Sequence, residues 1–322
     1  MRLQTLTTKI AVRYSKKLYS TSRLGSGLPA VSAIDARFDE LDVSVFRQRA
    51  FLPEQPLLIR KPMESNAPPA STSACSISAA TKWFSTMEDN AGGLKLVASS
   101  YLSSFGDVLV PYELIYQGKA DVNESSNAAI GPGKDWSGTK IRRFERPLST
   151  LLSLSAAEPE LRPQLYIAQA QLSQLPESLQ KDIPTPHLVS RAGKGDIYDA
   201  NLWMGLPPTY TPLHKDPNPN LFVQLASNKR VRLFAPPVGA AIFRHVQSSI
   251  GKSASASFRG EEMMEGSERA ALYDAVWRTL LSRQGFEAVV SPGDALFIPK
   301  GWWHSIRSMG TDLNASVNWW FR

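Results

Sequence analysis

The second half of the chain alternates short apolar runs with turn-forming residues. From Leu165 onward the strand-like runs are LYIAQAQL, DIYDANLWMGL, LFVQL, KRVRLFAPP, FEAVVSPGDALFIP and NASVNWWF. Proline, glycine and asparagine separate these runs, which is typical of strands joined by turns. Such a succession of short strands predicts an antiparallel sandwich or barrel.

The first half of the chain carries signals of both kinds. Leu41, Val45 and Phe46 recur at helical spacing, and PLLIRKP after them is typical of a short buried strand that Pro62 ends. The segments LKLVASSYL, VLVPYELIY and KIRRFERP then indicate strands, followed by one short helix near residues 148–154. A helix that leads into strands is therefore the expected start of the fold.

One helix is inserted among the late strands. Leu272, Val276 and Leu280 recur at helical spacing between KRVRLFAPP and FEAVVSPGDALFIP. The order of elements predicts a mainly β fold with helices (α+β), in which a double-sheet barrel has helices on its N-terminal side and an inserted helix before the last strands. We assign residues 31–322 to this single domain and its barrel core to about residues 165–322.

Composition places the chain among ordinary globular proteins. It has 322 residues, of which 43% are hydrophobic and 20% charged, so it can bury a substantial core. The formal net charge is +7, but six cations precede the first acidic residue, Asp35, so the rest of the chain carries about +1. We therefore expect no nucleic-acid partner. We also expect no membrane span, because no apolar run approaches roughly 20 residues.

The six early cations belong to a basic N-terminal segment. Residues 1–30 are rich in serine and threonine, contain no acidic residue, and place Ile10, Ala11 and Val12 among the positive charges. These are the properties of a mitochondrial presequence, so we expect import into the matrix and removal of the segment. The alternative is a disordered basic arm without a targeting role, in which case the protein would be cytoplasmic or nuclear.

Cysteine and histidine are scarce in this chain. The single cysteine, Cys75, excludes an internal disulfide and a cysteine-based zinc site. A metal site must therefore use histidine, aspartate or glutamate. The four histidines are His187, His214, His245 and His304. Of these, His187 is expected in a turn and His245 at an exposed or capping position.

One histidine and one aspartate have the spacing of a metal site. His214 and Asp216 in TPLHKDPNPN are two residues apart, and such side chains point to the same face of an extended chain. A third ligand is offered by His304 in SPGDALFIPKGWWHSI, where a strand follows a Pro-Gly turn and ends in bulky aromatics. Two imidazoles and one carboxylate form the facial triad of non-haem iron(II) oxygenases, and zinc hydrolases also use such a set. A cosubstrate site beside the triad would separate the two classes.

An inward lysine is consistent with such a cosubstrate site. In NKRVRLF, strand alternation places Lys229 on the same face as Val231 and Leu233. If these two apolar residues face the core, the lysine does too, and a buried lysine is costly unless an anion pairs with it. The distal carboxylate of 2-oxoglutarate would serve, whereas a surface lysine would need no partner. Thr211 and Asn220 flank the triad and could hydrogen-bond the same ligand.

The sequence around these residues resembles the JmjC oxygenases, a cupin-type family that uses iron(II) and 2-oxoglutarate. NLWMGLPPTYTPLHKDPNPNLFVQ and SPGDALFIPKGWWHSI are similar to the two metal-bearing strands of the family. LYIAQAQLSQLPESLQKDI is similar to the segment before the barrel in arginyl-hydroxylase-like members. The resemblance runs from about Phe38 to the C-terminus. It is closest to the hydroxylase branch, which includes the asparaginyl hydroxylase acting on hypoxia-inducible factor and the arginyl hydroxylases.

The resemblance implies a fold and a set of site residues. The fold is a double-stranded β-helix, the jelly-roll or cupin barrel of JmjC proteins. The implied iron ligands are His214, Asp216 and His304. The implied contacts of 2-oxoglutarate are Lys229 with Tyr166 and Thr211 at the distal carboxylate, Asn220 and Asn318 near the iron-bound end, and Trp203 in the pocket wall.

The resemblance also implies an activity. The chain is expected to be a 2-oxoglutarate-dependent dioxygenase that uses iron(II) and O2, hydroxylates a protein or peptide side chain, and releases succinate and carbon dioxide. An N-methyl-lysine demethylase of the same family is the enzymatic alternative, since demethylation begins with the same hydroxylation. A barrel without turnover, acting as a binding module, is the alternative from another class.

The chain departs from the family pattern in two segments. The presequence is not typical of the nuclear chromatin enzymes of the family, and the segment 238–284 is longer and more helical than expected. The helix near residues 272–280 fits either packing on the barrel or a homodimer contact. Arg142 and Arg143, a cationic pair, are expected on a solvated edge rather than at a site for acidic substrates.

Overall fold

The structure is a computed structural model of the chain. It describes residues 27–62, 77–88, 92–117, 139–155, 162–251, 266–281 and 283–322. Almost all of the predicted presequence, and also Cys75, lie outside the described residues. Within the described part of the chain, no helix has both the length and the apolar composition needed to cross a lipid bilayer.

The described residues form fifteen strands, most of them short and bounded by the turns that the sequence predicts. They are β1 (Ala33–Asp35), β2 (Leu57–Arg60), β3 (Phe84–Glu88), β4 (Leu94–Ala98), β5 (Leu109–Gln117), β6 (Thr139–Pro147), β7 (Gln164–Gln171), β8 (Ile197–Gly205), β9 (Tyr210–Lys215), β10 (Asn220–Ala226), β11 (Asn228–Phe234), β12 (Gly285–Val290), β13 (Ala295–Ile298), β14 (Trp303–Met309) and β15 (Asn314–Phe321).

Among the described residues, the helices either precede β8 or lie in one insertion in the barrel. They are α1 (Val43–Phe46), α2 (Ala79–Lys82), α3 (Ser100–Ser103), α4 (Ser149–Ser155), α5 (Glu177–Lys181), α6 (His187–Arg191), α7 (Pro236–Ser249) and α8 (Gly266–Tyr273). Two π-helical turns, Arg47–Phe51 and Asp274–Arg278, continue α1 and α8, and Leu172–Gln174 is a 3-10 turn. The predicted helices near residues 41–46 and 148–154 correspond to α1 and α4.

Two sheets form the barrel. The large sheet has nine strands in the order β1-β2-β13-β10-β15-β8-β7-β5-β6, and the small sheet has four in the order β12-β11-β14-β9. The strands from β8 to β15 divide equally between the two sheets, and they pair antiparallel within each. This is the arrangement of a jelly roll, so the predicted double-stranded β-helix with helices is confirmed. A separate hairpin is made by β3 and β4.

Strand alternation sorts the apolar side chains of the barrel into distinct clusters. Val231, Leu233 and Leu296 belong to a cluster between the two sheets. Phe297, next to Leu296 in sequence, packs on the other face of the large sheet, beneath the N-terminal helices. Phe234 packs on the outer face of the small sheet, beneath α7 and α8. The inward face that the sequence predicts for NKRVRLF is therefore the inward face in the structure.

The described residues of the insertion form two helices, not one. The predicted helix near residues 272–280 corresponds to α8 and the π-helical turn after it, whereas α7 was not predicted. The consecutive prolines at the start of α7 resemble a turn signal, but proline is well suited to a first helical turn. α7 packs close to β14 at Gly239, where an added Cβ would lie 2.1 Å from Trp303 Cγ. Glycine permits this approach because it has no side chain.

The pattern of apolar runs does not predict β9 and β14 as separate strands. Pro212 interrupts the apolar pattern of β9. The predicted strand after the Pro-Gly turn extends to His304, whereas β13 ends at Ile298 and His304 lies on β14. A turn separates the two strands: Trp302 N donates to Pro299 O at 3.2 Å, and Gly301 has a φ of 76°. Glycine adopts that backbone conformation without strain.

Candidate active site

Strand pairing brings the three predicted metal ligands together. β9 and β14 are antiparallel neighbours, and in their register His214 lies directly opposite His304. Their imidazole centroids are 4.1 Å apart. Asp216 follows β9 directly, and its carbonyl accepts a hydrogen bond of 3.3 Å from Gly301 N, in the turn before β14. The fold thus joins two segments that are far apart in sequence.

The potential ligand atoms of the three side chains face one another. His214 Nε2 is 3.8 Å from Asp216 Oδ1, and His304 Nε2 is 3.6 Å from Asp216 Oδ2. The other ring nitrogens contact carbonyls: His214 Nδ1 lies 2.8 Å from Pro212 O, and His304 Nδ1 lies 3.2 Å from Trp302 O. Because a carbonyl oxygen can only accept, each ring donates from Nδ1, and its Nε2 faces the carboxylate.

Burial and mutual contact determine the charges of His304 and Asp216. Burial, together with the neighbouring His214, lowers the pKa of His304 to about 4, so this ring is neutral at neutral pH. Neutral imidazole is the form that binds a metal. Burial alone would raise the pKa of Asp216, but the two imidazoles and a hydrogen bond from Asn220 lower it on balance. The carboxylate is therefore ionised.

The three side chains fit a divalent metal ion. Bonds from a metal to imidazole and carboxylate are about 2.0–2.2 Å long, so two ligand atoms of one ion lie at most about 4.4 Å apart. Both separations from Asp216 are smaller than this limit. Among the described residues, these three form the one group of metal-ligating side chains whose ligand atoms lie within 4.8 Å of one another. Two imidazoles and one carboxylate suit iron(II) and leave coordination positions open.

A chain of hydrogen bonds leads from the large sheet to Asp216. Trp203 Nε1 on β8 donates to Asn318 Oδ1 on β15 at 2.7 Å. Asn318 Nδ2 donates to Asn220 Oδ1 on β10 at 3.3 Å, and Asn220 Nδ2 donates to Asp216 Oδ2 at 2.9 Å. Such contacts beyond the ligands orient a carboxylate before it binds a metal. The three residues of this chain before Asp216 are predicted contacts of 2-oxoglutarate. They therefore also hold the carboxylate of Asp216, a predicted metal ligand.

Lys229 lies in the same interior and is 2% exposed. Its ammonium group donates to Ser316 Oγ at 2.7 Å and to Tyr166 Oη at 3.2 Å, and it lies 5.4 Å from the ring centroid of Phe222. Burial lowers the pKa of Lys229 to about 7, and no carboxylate of the described residues offsets this effect. The position therefore favours an anion that can enter the barrel.

One cavity of about 310 Å³ joins the triad to Lys229. It is lined by all nine residues singled out in the sequence: Tyr166, Trp203, Thr211, His214, Asp216, Asn220, Lys229, His304 and Asn318. The structure brings them together, and their roles as ligands and cosubstrate contacts stay predictions. Tyr166 lies across Gly205, where an added Cβ would be 2.3 Å from Tyr166 Cδ2, so the absence of a side chain at that position allows the ring to lie there.

Some features of the site were not predicted from the sequence. Ser316, the partner of Lys229, shares a strand face with Asn318, so alternation carried a signal for it. Arg143 is partly exposed, as expected, but it also lines the cavity and forms an ion pair of 3.0 Å with Glu113. The solvated-edge prediction was therefore incomplete. The Glu113–Arg143 contact arises from the pairing of β5 with β6, which no local pattern reveals.

The two remaining histidines lie outside the cavity lining. His245 is exposed on α7, in agreement with the sequence. His187 begins α6, and its Nε2 lies 2.9 Å from Leu41 O, so the turn prediction was wrong. Pro186 before it has an extended backbone and leads directly into the helix.

Comparison with known proteins supports the same family. The chain matches the model of the Cupin-like domain over residues 44–322. It is similar to Lysine-specific demethylase 8 of Danio rerio, with 31% identity over 160 residues that cover 48% of this chain and 36% of that protein. It is also similar to Jumonji C domain-containing protein 5 of Drosophila melanogaster, with 30% identity over 159 residues that cover 48% of this chain and 36% of that protein.

A plant relative extends the comparison. Lysine-specific demethylase JMJ30 of Arabidopsis thaliana is 26% identical over 155 residues, which cover 48% of this chain and 33% of that protein. The matched part thus spans about a third of the length of each of these relatives. The family match, by contrast, includes all the strands of both barrel sheets except β1. The chain therefore belongs to the cupin-like family that includes the JmjC proteins.

Proposed function

We propose that this chain is an iron(II)- and 2-oxoglutarate-dependent oxygenase. The proposal is carried by one observation: a set of two histidines and one aspartate shares a cavity with a buried lysine that has no carboxylate partner among the described residues. A zinc hydrolase or a metal-storage barrel would use the two histidines and the aspartate, but it has no need of the buried lysine.

The residues of the cavity have tasks that follow from their positions. Lys229 and Tyr166 would bind the distal carboxylate of 2-oxoglutarate, which would supply the negative charge that the lysine lacks. Asn220 would keep the Asp216 carboxylate in place through the bond it already donates. The ring of Phe222 beside the lysine would help to keep water out of this part of the cavity.

The overall reaction balances with these two cosubstrates. Iron(II), when bound, supplies the activation of O2 that couples loss of carbon dioxide from 2-oxoglutarate to oxidation of a C–H bond. One 2-oxoglutarate, one O2 and one C–H group give succinate, carbon dioxide and one C–OH group. One oxygen atom of O2 ends in succinate and the other in the new hydroxyl group.

Cosubstrate binding and turnover test this proposal. We would mix the purified protein anaerobically with iron(II) and 2-oxoglutarate, record the metal-to-ligand charge-transfer band, then admit O2 and measure succinate. We expect both signals from the wild type and neither from His214→Ala. The matched control is His245→Ala, because His245 is exposed on α7 and outside the cavity lining. A wild type that gives neither signal would contradict the proposal and favour a binding module.

We propose a protein or peptide side chain as the substrate, with hydroxylation as the reaction. The cavity of about 310 Å³ is suited to a cosubstrate and a single side chain. The resemblance of the metal-bearing segments to the hydroxylase branch supports stable hydroxylation. The names of two relatives, which contain "Lysine-specific demethylase", support demethylation of N-methyl-lysine at least as well.

The product distinguishes these two reactions. We would incubate the active protein with a peptide library and measure succinate, formaldehyde and peptide mass together. Hydroxylation predicts peptides that gain one oxygen atom, without formaldehyde. Formaldehyde released in proportion to succinate, with loss of a methyl group from lysine, would favour the demethylase.

A further inference from the structure

Asn201 on β8 is a buried amide without an evident structural use. It is 0% exposed, and neither its Nδ2 nor its Oδ1 has a hydrogen-bond partner among the described residues. Buried amides are nearly always hydrogen-bonded, because burial removes the bonds that they make with water. A leucine of similar size would fill the same space without this cost. The amide therefore indicates a state of the protein in which its hydrogen bonds are formed.

The position of Asn201 relates it to the candidate active site. In the register of β8 and β15, Asn201 lies directly opposite Asn318. Residues in such pairs have Cβ atoms about 4.5–5.5 Å apart, so two amide groups can meet. Asn201 is also two residues from Trp203 on the same strand, and the two side chains share a face. Asn201 therefore lies next to the hydrogen-bond chain that ends at Asp216.

Asn318 uses both ends of its amide in this structure. Its Oδ1 accepts from Trp203 Nε1, and its Nδ2 donates to Asn220 Oδ1. A carboxylate that binds beside the triad requires donors, and the amides of Asn318 and Asn220 both line that part of the cavity. If Asn318 turns its Nδ2 toward such a ligand, its contact with Asn220 is weakened and its orientation must be held in another way. Asn201 is the amide directly across the strand pair.

We propose that Asn201 is a positioning residue that fixes the orientation of Asn318 when an acid cosubstrate is bound. Asn201 Nδ2 donates to Asn318 Oδ1, which accepts this bond beside the one from Trp203. Asn318 Nδ2 then remains directed at the carboxylate of the ligand. Asn201 itself does not touch the ligand. This inference rests on the proposed function, because the ligand is the iron-bound end of 2-oxoglutarate.

Two matched substitutions of buried asparagines test the inference. Asn314 on β15 is also 0% exposed, but its amide accepts from Gln224 Nε2 at 3.1 Å and donates to Asn228 O at 2.9 Å. We would compare Asn201→Leu with Asn314→Leu. The readouts are the thermal unfolding of the ligand-free protein and the 2-oxoglutarate affinity of the manganese(II)-loaded protein by calorimetry, which requires no turnover.

The two variants should change opposite properties. We expect Asn201→Leu to unfold at the same temperature as the wild type or higher, and to bind 2-oxoglutarate about tenfold more weakly. We expect Asn314→Leu to unfold at a lower temperature and to bind like the wild type. Asn201→Ala serves as the second variant if the leucine does not fold, because a methyl group cannot donate a hydrogen bond to Asn318 and the same loss of affinity follows.

Failure of this inference is distinguishable from failure of the proposed function. A wild type that binds no 2-oxoglutarate would overturn both. A wild type that binds it, with Asn201→Leu and Asn201→Ala binding equally well, would overturn the role of Asn201 alone. Equal losses of stability and affinity in the Asn201 variants would show a purely structural amide and would also overturn it.

Discussion

Strand β11 carries two buried cations on opposite faces, and their surroundings differ. Arg232, on the outer face, donates from Nε to Glu287 Oε2 at 2.8 Å, and its guanidinium lies 4.5 Å from the ring centroid of Trp277. Lys229, on the inner face, donates to the hydroxyls of Ser316 and Tyr166, and no described carboxylate offsets its burial. One cation is thus neutralised by the protein, and the other has no carboxylate partner among the described residues.

This difference shows that the partners of a buried charge indicate its role. A buried ion pair is complete within the fold, so it is retained whether or not a ligand is present. A buried ammonium group without an acid is costly, and burial is the cause that lowers the pKa of Lys229. The outer face of β11 therefore serves the attachment of the inserted helices, and the inner face serves the cavity.

The largest effect is expected on the outer face. Arg232→Met leaves Glu287, which is 0% exposed, with Arg230 at 3.5 Å as its remaining ion-pair partner among the described residues. Loss of one partner from a buried pair costs about 3–5 kcal/mol, so we expect a loss of that size in the free energy of unfolding in urea. The double variant Arg232→Met, Glu287→Leu should recover much of it. Unchanged stability in Arg232→Met would show that the pair is not structural.

On the inner face, the effect should fall on binding instead of stability. Lys229→Met removes the cation that pairs with the distal carboxylate, so we expect calorimetry on the manganese(II)-loaded protein to show about 2–5 kcal/mol less binding free energy for 2-oxoglutarate. The ligand-free variant should be as stable as the wild type or more stable, because a buried amino group is replaced by an apolar one.

A second lysine of the cavity lining serves as the control. Lys215 is partly exposed, and its ammonium lies 5.6 Å from the ring centroid of Trp303. Lys215→Met should bind 2-oxoglutarate nearly as the wild type does. Equal losses in the two lysine variants would indicate a general electrostatic attraction and would contradict a specific role for Lys229.

The pH dependence of 2-oxoglutarate binding also reports on Lys229. The pKa of Lys229 falls from 10.5 to about 7 on burial, and a bound carboxylate should raise it again. Binding above pH 7 therefore requires proton uptake, and we expect the affinity for 2-oxoglutarate to fall by up to about tenfold per pH unit there. Below pH 7 the lysine is already charged, so it contributes little pH dependence. Calorimetry in buffers of different ionisation enthalpy would measure the proton uptake.

The lowered pKa of Lys229 also makes folding stability depend on pH. Stability should rise with pH, whereas the affinity for 2-oxoglutarate should fall. Between pH 7 and pH 10.5 the unfolded chain binds more protons at Lys229 than the folded protein does, so this group makes stability rise with pH. Urea unfolding of the ligand-free protein at several pH values would measure the slope. The slope should be smaller in Lys229→Met, and an identical slope would contradict the lowered pKa.

The smallest effect is expected at the hydroxyl that Lys229 already contacts. Tyr166→Phe removes one acceptor of the ammonium and keeps the ring over Gly205. A typical hydrogen bond contributes about 0.5–1.5 kcal/mol, so we expect a loss of that order in the binding free energy of 2-oxoglutarate. A loss as large as that of Lys229→Met would mean that the tyrosine contributes as much as the lysine, and would contradict a subordinate role for its hydroxyl.

Local patterns predicted the parts of this protein that depend on neighbouring residues. Strand alternation placed Lys229 on the inner face, and helical spacing placed a helix near Leu272. The convergence of His214 with His304 followed from residue chemistry and from the resemblance, and their strands pair as it requires. The sequence was thus informative about side-chain direction and about scarce ligand types.

The remaining features depend on contacts between distant segments. The register of β5 with β6 creates the Glu113–Arg143 pair, and the register of β8 with β15 places Asn201 opposite Asn318. No spacing within one strand carries this information, because register is determined by the packing of a whole sheet. The missed helix α7 is different, since proline at its start concealed an otherwise readable apolar stripe.

The position of β9 has a mechanical consequence. It is the last strand of the small sheet, bound on one side by β14 and by no further strand of that sheet among the described residues. An ion bound by both His214 on β9 and His304 on β14 would cross-link the outermost pair of strands. Loading with metal should therefore slow hydrogen exchange most strongly at the backbone amides of β9, in a segment that would otherwise fray. The metal would then stabilise the edge of the small sheet in addition to its part in the reaction inside the barrel.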